Sequence, residues 1–339
     1  MERDCLTIEK RRYIGCKAKL IDWIFDTIQR EAVGALSFCD IFAGTGVVAS
    51  RAIELYNSIV INDFLVSNNV IYRAFFECGE YDEVKVNKII SEFNALDDNE
   101  IEENYFSRNF GGKYYDYVTS KRIGYIRNRI EEIKDTLTAK EYNVLIATLI
   151  YNIDRIANTL GHFDAYIKKN IRQQQLILKP IDVRCCPNVE IYREDSNVLA
   201  RTISADVVYI DPPYNSRQYS RFYHLYETLV KWDEPELFGV ALKPQAENMS
   251  DYCTVKAASA FEDLILNLKT KYIVVSYNNT YKSKSSSSAN RITTEEIINI
   301  LNKRGSTKIL EHSHQYFNAG KTDFENHKEY LFVTKVYEE

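Results

Sequence analysis

At 339 residues the chain has room for two domains, and 45% hydrophobic with 27% charged residues is the make-up of a globular protein, not a disordered or fibrous one. No apolar run approaches the ~20 residues of a membrane helix. The opening "MERDCLTIEKRRY" is charged from its second residue and holds no apolar signal core, so a cytoplasmic protein is expected. A net charge of −5 excludes a basic coat over the whole surface. The seven cysteines show no CxxC pair and no Cys/His spacing that suits zinc; reduced, mostly buried thiols and no metal are expected.

Three stretches run against the acidic total. Residues 10–19, "KRRYIGCKAK", carry five basic side chains and no acid; residues 121–129, "KRIGYIRNR", carry four and no acid; residues 168–184 add five bases against one acid. Interleaved with Tyr13, Tyr125 and Tyr166, they are read as a surface that tracks phosphates.

Residues 17–30 place Leu20, Ile21, Ile24, Phe25 and Ile28 on one helical face. "ALSFCDIFAGTG" then reads as a strand breaking into a glycine turn, followed by the helical "VVASRAIELY", a second strand "SIVIND" and a second helix "VSNNVIYRAFFE". That is a parallel βαβ unit. From about residue 78 the alternation stops, and amphipathic segments such as "EVKVNKIISEFNAL" and "AKEYNVLIATLIYNIDRIA" follow. Residues 78–187 are therefore expected to form an inserted, mainly helical domain. Strands resume at 189–195, 206–211, 271–277 and 329–337, with "KSKSSSSAN" (282–290) a low-complexity loop and Thr293-x-x-Glu296 a capping box opening a helix. Residues 1–77 and 188–339 should thus build one α/β sheet interrupted by the insertion.

Ligands of such sheets sit beyond the carboxyl ends of the strands, which puts "DIFAGTG", "IND", "RED" and "DPPY" on a single rim. "FAGTG" allows a tight turn and close backbone approach, but it lacks the Lys-Ser/Thr of a phosphate loop. Asp63, about twenty residues on, suits a ribose diol. An adenosine ligand without a phosphate cradle fits this pair, and S-adenosylmethionine is such a ligand.

"DVVYIDPPY" ends an apolar strand in an aspartate, two of the chain's six prolines and a tyrosine. An amine on a heteroaromatic ring is a poor nucleophile because its lone pair is delocalised. The Asp211 carboxylate and the Pro212 carbonyl, held by two fixed φ angles, can each accept one N–H and favour a pyramidal nitrogen aimed at a sulfonium methyl. Tyr214 offers a face for the base.

"DPPY" after an apolar strand with "FAGTG" upstream resembles the amino-group DNA methyltransferases that modify adenine N6. "RYIGCKAKL" (12–20) resembles the N-terminal cofactor motif of their α group, the D12 class that includes the Dam-type enzymes, with Cys16 in place of a small Gly or Ser. The order of motifs is that group's order, and "DPPYNSRQY" is similar to its restriction-associated branch. The resemblance implies a Rossmann-like S-adenosylmethionine-dependent methyltransferase sheet with a helical target-recognition domain. It implies cofactor contacts at Tyr13 and Lys17, at Asp40, Phe42, Ala43, Gly44 and Gly46 of the glycine motif, at Asp63, and at Asp195 beside the adenine. Asp211, Pro212, Pro213 and Tyr214 match the catalytic tetrapeptide. Asn215, Arg217, Gln218 and Tyr219 would line the entry of a flipped base. In "GHFDAYIKKNIRQQQ", Lys168 and Arg172 are candidates for DNA contact alongside His162, Lys169 and three glutamines.

A site-specific adenine-N6 enzyme acting on duplex DNA is therefore expected, with a cognate restriction endonuclease as companion and no membrane partner. "CCPN" reverses the Pro-Cys order a cytosine-C5 enzyme needs, and cytosine-N4 enzymes typically carry Ser for the first Asp. An RNA adenine methyltransferase and a catalytically silent DNA-binding subunit stay open as alternatives.

Overall fold

The computed structural model describes residues 5–168, 171–213, 218–278, 292–313 and 328–338. The low-complexity stretch at 282–290 lies outside them. The chain divides into two compact units. One, the sheet unit, holds residues 17–64, 188–219 and 248–339; the other, the helical unit, holds 1–16, 65–187 and 220–247.

In chain order, α1 (Ile21–Glu31) precedes β1 (Ser37–Asp40), α2 (Val47–Ile53) and β2 (Ser58–Asn62). The chain then enters the helical unit through α3 (Val66–Phe76), α4 (Glu83–Asn94), α5 (Tyr105–Phe110), α6 (Tyr117–Glu132) and α7 (Ala139–Ile156). It returns at β3 (Val189–Tyr192), α8 (Ser196–Leu199) and β4 (Ser204–Ile210), followed by α9 (Tyr219–Phe222) and α10 (His224–Lys231). The sheet unit ends with α11 (Ala257–Asn267), β5 (Lys269–Asn278), α12 (Thr294–Leu301), β6 (Gly305–Ser313) and β7 (Lys328–Val336).

The strands form one seven-stranded sheet in the order β3-β2-β1-β4-β5-β7-β6. β1 to β5 run parallel, and β7 is antiparallel to both of its neighbours. β4 and β5 read as apolar runs because helices cover them: Val208, Ile210, Ile273 and Val275 pack with Phe261, Leu264 and Ile265 of α11 and Ile297 and Leu301 of α12. Each large side chain so buried contributes roughly 1.5–3 kcal/mol. The amphipathic face expected in α1 buries Ile24, Phe25 and Ile28. α12 opens on the capping box, Thr293 N–H donating to Glu296 Oε2 at 2.7 Å and Glu296 N–H to Thr293 Oγ1 at 3.1 Å. β6 carries no apolar alternation that would announce it. It is an edge strand with Lys308, Glu311 and His312 along it, and such charges blunt an edge against pairing with another chain.

The helical unit is larger than the expected insertion, since α3 packs on α7 and α10 packs on α3. Its cysteines also depart from expectation. Cys78 and Cys185 are disulfide-bonded, 107 residues apart. Arg184 N–H donates to Phe75 O at 2.7 Å and Cys186 N–H to Phe76 O at 2.9 Å, so tertiary pairing brings Cys185 beside the end of α3. Local spacing cannot reveal such a pair. Among the described residues no helix is long and apolar enough to cross a membrane.

Candidate active site

In the sheet unit the strand order reverses between β1 and β4, which is where an open α/β sheet takes its ligand. Asp40, the last residue of β1, lies opposite Tyr209 of β4, so Asp211 follows two residues beyond that register.

The loop after β1 is a glycine turn of necessity. Gly44 has φ +54° and Gly46 φ +79°, left-handed values that a side chain would strain. Gly44 N–H donates to Asp63 Oδ2 at 2.9 Å, and Ala43 N–H to Asn62 O at 2.9 Å. Asn62 is 1% exposed and joins three strand ends. Its Nδ2 donates to Ile41 O at 3.1 Å and Glu194 O at 3.0 Å, and its Oδ1 accepts from Glu194 N–H at 2.9 Å.

At the end of β4, Lys17 Nζ stands 3.3 Å from Asp211 Oδ1 and 3.7 Å from Glu329 Oε2 of β7. Burial raises the Asp211 carboxyl to about 7 against the pull of the Lys17 ammonium, and Glu329 adds to the rise. Burial also works against the Lys17 charge, but Asp211 and Glu329 outweigh it and hold the ammonium protonated. Asp40 is more enclosed still. Burial first, then Asp211 and Asp63, push its carboxyl well above the ordinary range. The backbone amide of Ala49 works against that rise.

Other candidate residues fall as follows. Phe42 packs edge-on against Tyr252, with ring centroids 5.0 Å apart, and the Tyr252 hydroxyl donates to Asn197 Oδ1 at 2.9 Å. Asp195 caps α8, its Oδ1 accepting from Asn197 N–H at 2.9 Å and Val198 N–H at 3.2 Å. Pro212 is buried and Pro213 half-buried. Tyr219 opens α9, half-buried. Gln218, expected to line the entry of the base, is instead buried, and both ends of its amide are engaged by the backbone of Ser250, at 2.8 and 2.7 Å. Tyr214, Asn215 and Arg217 lie outside the described residues, as does Lys169. Tyr13 belongs to the helical unit, where its ring stacks on Tyr223 at 4.3 Å and 5°. Tyr252 and Glu329 carry no motif and escape sequence reasoning, and Asn62, though inside "IND", is assigned no role by it.

Two of the three basic stretches are not phosphate-tracking surfaces. The Arg12 guanidinium donates to the carbonyls of Asp154, Ala157 and Thr159 at the end of α7. Arg11, 3% exposed, donates to Asn68 Oδ1 at 2.7 Å. Arg122 donates to Phe93 O and Asn94 O at the end of α4, and Arg127 to Leu229 O and Val230 O at the end of α10. Helix ends leave carbonyls unsatisfied, and buried cations satisfy them here. The third stretch differs. Lys168 and Arg172 are exposed, on an irregular segment whose backbone is held by side chains of the helical unit. Asn158 exchanges hydrogen bonds with Ile167, Asp116 and Thr119 hold Gln174, and Asn94 brackets Leu178.

A seven-stranded sheet in this order, with a glycine loop after β1 and Asp-Pro-Pro after β4, defines a Rossmann-like α/β methyltransferase. Residues 13–300 match the family described as D12 class N6 adenine-specific DNA methyltransferase, and the chain belongs to it. It is 30% identical over 343 residues to the type II methyltransferase M.NlaIII of Neisseria lactamica, covering 95% of this chain and 98% of that protein. The type II methyltransferase M.CviAII of Paramecium bursaria Chlorella virus 1 is 28% identical over 334 residues, covering 96% and 98%. M.FokI of Planomicrobium okeanokoites is 31% identical over 314 residues, but the match, 87% of this chain, spans only 47% of that protein. The chain is thus an adenine-specific DNA methyltransferase, and of the readings open at the sequence this is the one its family carries.

Proposed function

We propose that the chain uses S-adenosyl-L-methionine to methylate N6 of an adenine turned out of duplex DNA, within a specific sequence, as the cytoplasmic modification partner of a restriction endonuclease. The observation that carries it is the Lys17–Asp211 pair beside Pro212 and Pro213, at the switch point of the sheet. The designation of the relatives as type II methyltransferases supports the companion endonuclease.

The rim suits the donor. Asp40 offers a buried carboxyl at the end of β1, and the left-handed glycines keep side chains away from the loop. Asp40, the 42–46 loop, Asp63 and Asp195 would hold the donor, with Asp63 toward the ribose and Asp195 and Phe42 toward the adenine. When bound, the donor supplies an electrophilic sulfonium methyl. Lys17 enters as the partner of Asp211 rather than as a group reaching for the donor, because its ammonium is engaged by two carboxylates. Tyr13 remains a cofactor candidate by family position alone.

In the mechanism, ionised Asp211 and the Pro212 carbonyl accept the two N–H bonds of the target amine and draw its nitrogen toward tetrahedral geometry. Tyr214 stacks on the base. Lys17 opposes the protonation of Asp211 that burial favours, since a protonated carboxyl would donate where acceptance is needed. Alignment of amine and methyl is where most of the rate arises, on the order of 7–11 kcal/mol at best. Turning the base out costs a few kcal/mol. Asn215, Arg217 and Tyr219 would hold the opened strand, and Lys168 and Arg172 would contact the duplex from the helical, target-recognition unit.

Asp211→Ala should abolish methyl transfer to duplex DNA while donor binding and the folded state persist. Undiminished transfer would refute the assignment, and modification-sensitive sequencing of host DNA will show which adenines the wild-type protein marks.

A further inference from the structure

Glu329 is the second residue of β7, paired with Asn278 of β5 on one side and His312 of β6 on the other. It lies in no motif, yet its carboxylate points at the centre of the site. Lys17 sits between two carboxylates, 3.3 Å from Asp211 and 3.7 Å from Glu329, with side-chain exposures of 5% for Lys17, 16% for Asp211 and 4% for Glu329. One ammonium facing two carboxylates leaves a surplus negative charge in a region where charge is poorly solvated.

We propose that Glu329 is a positioning residue for methyl transfer: from β7 it fixes where the Lys17 ammonium stands, and thereby how that ammonium bears on Asp211. The inference rests on Asp211 being the acceptor for the target amine. Lys17 alone would close onto Asp211 and occupy the lone pairs that the amine requires. With no cation at all, the buried Asp211 would take up a proton and cease to accept. Glu329 draws the ammonium to an intermediate station, close enough to keep Asp211 ionised and far enough to leave it available. The charged and titratable groups facing Asp211 among the described residues are Lys17, Glu329 on β7, the Tyr209 hydroxyl on β4 and Asp40 on β1.

The direction of the effect follows from the signs. Glu329 raises the Asp211 carboxyl and Lys17 lowers it. Glu329→Gln, similar in shape but neutral, should therefore move the acid limb of kcat/KM to lower pH by about one pH unit. Starting from about 7, that raises the ionised fraction of Asp211 at pH 6 roughly fivefold. Glu329→Asp keeps the charge and should return the limb toward its wild-type position. Lys17→Gln should move it the other way. The cofactor-free protein offers an independent readout: the ¹³C carboxyl titration that disappears in Asp211→Asn should shift in the same directions. An acid limb and titration left unmoved by Glu329→Gln would overturn the proposal, since a merely structural glutamate would alter yield or melting but not the limb. If Glu329→Gln does not fold, an unmoved limb in Lys17→Gln overturns it equally. Methyl transfer surviving in Asp211→Asn would instead sink the underlying reading of Asp211.

Discussion

Asn62→Leu separates a framework role from a contact role at the rim. Leucine keeps the branching and heavy-atom count of asparagine but can neither donate to Ile41 O and Glu194 O nor accept from Glu194 N–H. Each buried hydrogen bond contributes about 0.5–1.5 kcal/mol net, so three lost together should cost about 3 kcal/mol. The two tryptophans fall one in each unit, Trp23 on α1 and Trp232 after α10, so Trp232→Phe makes Trp23 a reporter of the sheet unit alone. In that background, with a urea slope of about 3 kcal/mol/M, the Trp23 transition should move down by about 1 M. Donor affinity should fall too, by about tenfold. Asn62 anchors the end of β2, from which Asp63 holds the Gly44 amide, and a loosened loop must be re-ordered on binding at roughly 1.4 kcal/mol. A transition within 0.2 M of the parent and a donor dissociation constant within about twofold would refute this account of Asn62.

The reassigned cations and the buried histidine give two further tests. Arg172→Ala should weaken DNA binding and lower the slope of log affinity against log salt by about one; Arg122→Ala, which uncaps α4, should lower stability and leave that slope alone. The opposite pattern in salt titrations would restore the 121–129 stretch as a DNA surface. Burial depresses His224 to about 4, with its Nε2 2.9 Å from Phe163 O. The unfolded chain therefore binds this proton at higher pH than the folded one, and stability is lost as pH falls from about 6.5 toward 4, by roughly 3 kcal/mol over the window. Urea midpoints of Trp232 fluorescence between pH 7 and pH 4 should decline less steeply in His224→Gln; parallel declines would exclude His224 as the cause.

The parallel strands were legible because their carboxyl ends coincide with residues whose chemistry is unusual there: Asp40 before a glycine turn, Asp63 after an apolar run, Asp211 before two prolines. β6 was not, because an edge strand bears charges where a buried one bears apolar residues. The basic stretches misled for a related reason. Sequence records that a side chain is cationic but not whether water or a helix end receives it, and Arg122 and Arg127 meet carbonyls inside the fold. Glu329 was invisible because its only distinction is the ammonium it faces, more than three hundred residues away in the chain. The Cys78–Cys185 bond was hidden likewise, by a separation of 107 residues.

Several helices of the helical unit end on borrowed cations. α3 finishes on Lys140, whose Nζ donates to Arg73 O and Ala74 O at 2.8 Å; α7 finishes on Arg12, and α10 on Arg127. The lenders stand 67, 145 and 102 residues from the helix ends they close. Each helix also closes locally, through the Glu77, Ala157 and Trp232 amides, but the carbonyls these leave over depend on the borrowed cations. Moving this unit into another chain therefore means moving residues 1–16, 65–187 and 220–247 together, because a shorter cassette would leave one of these cations behind.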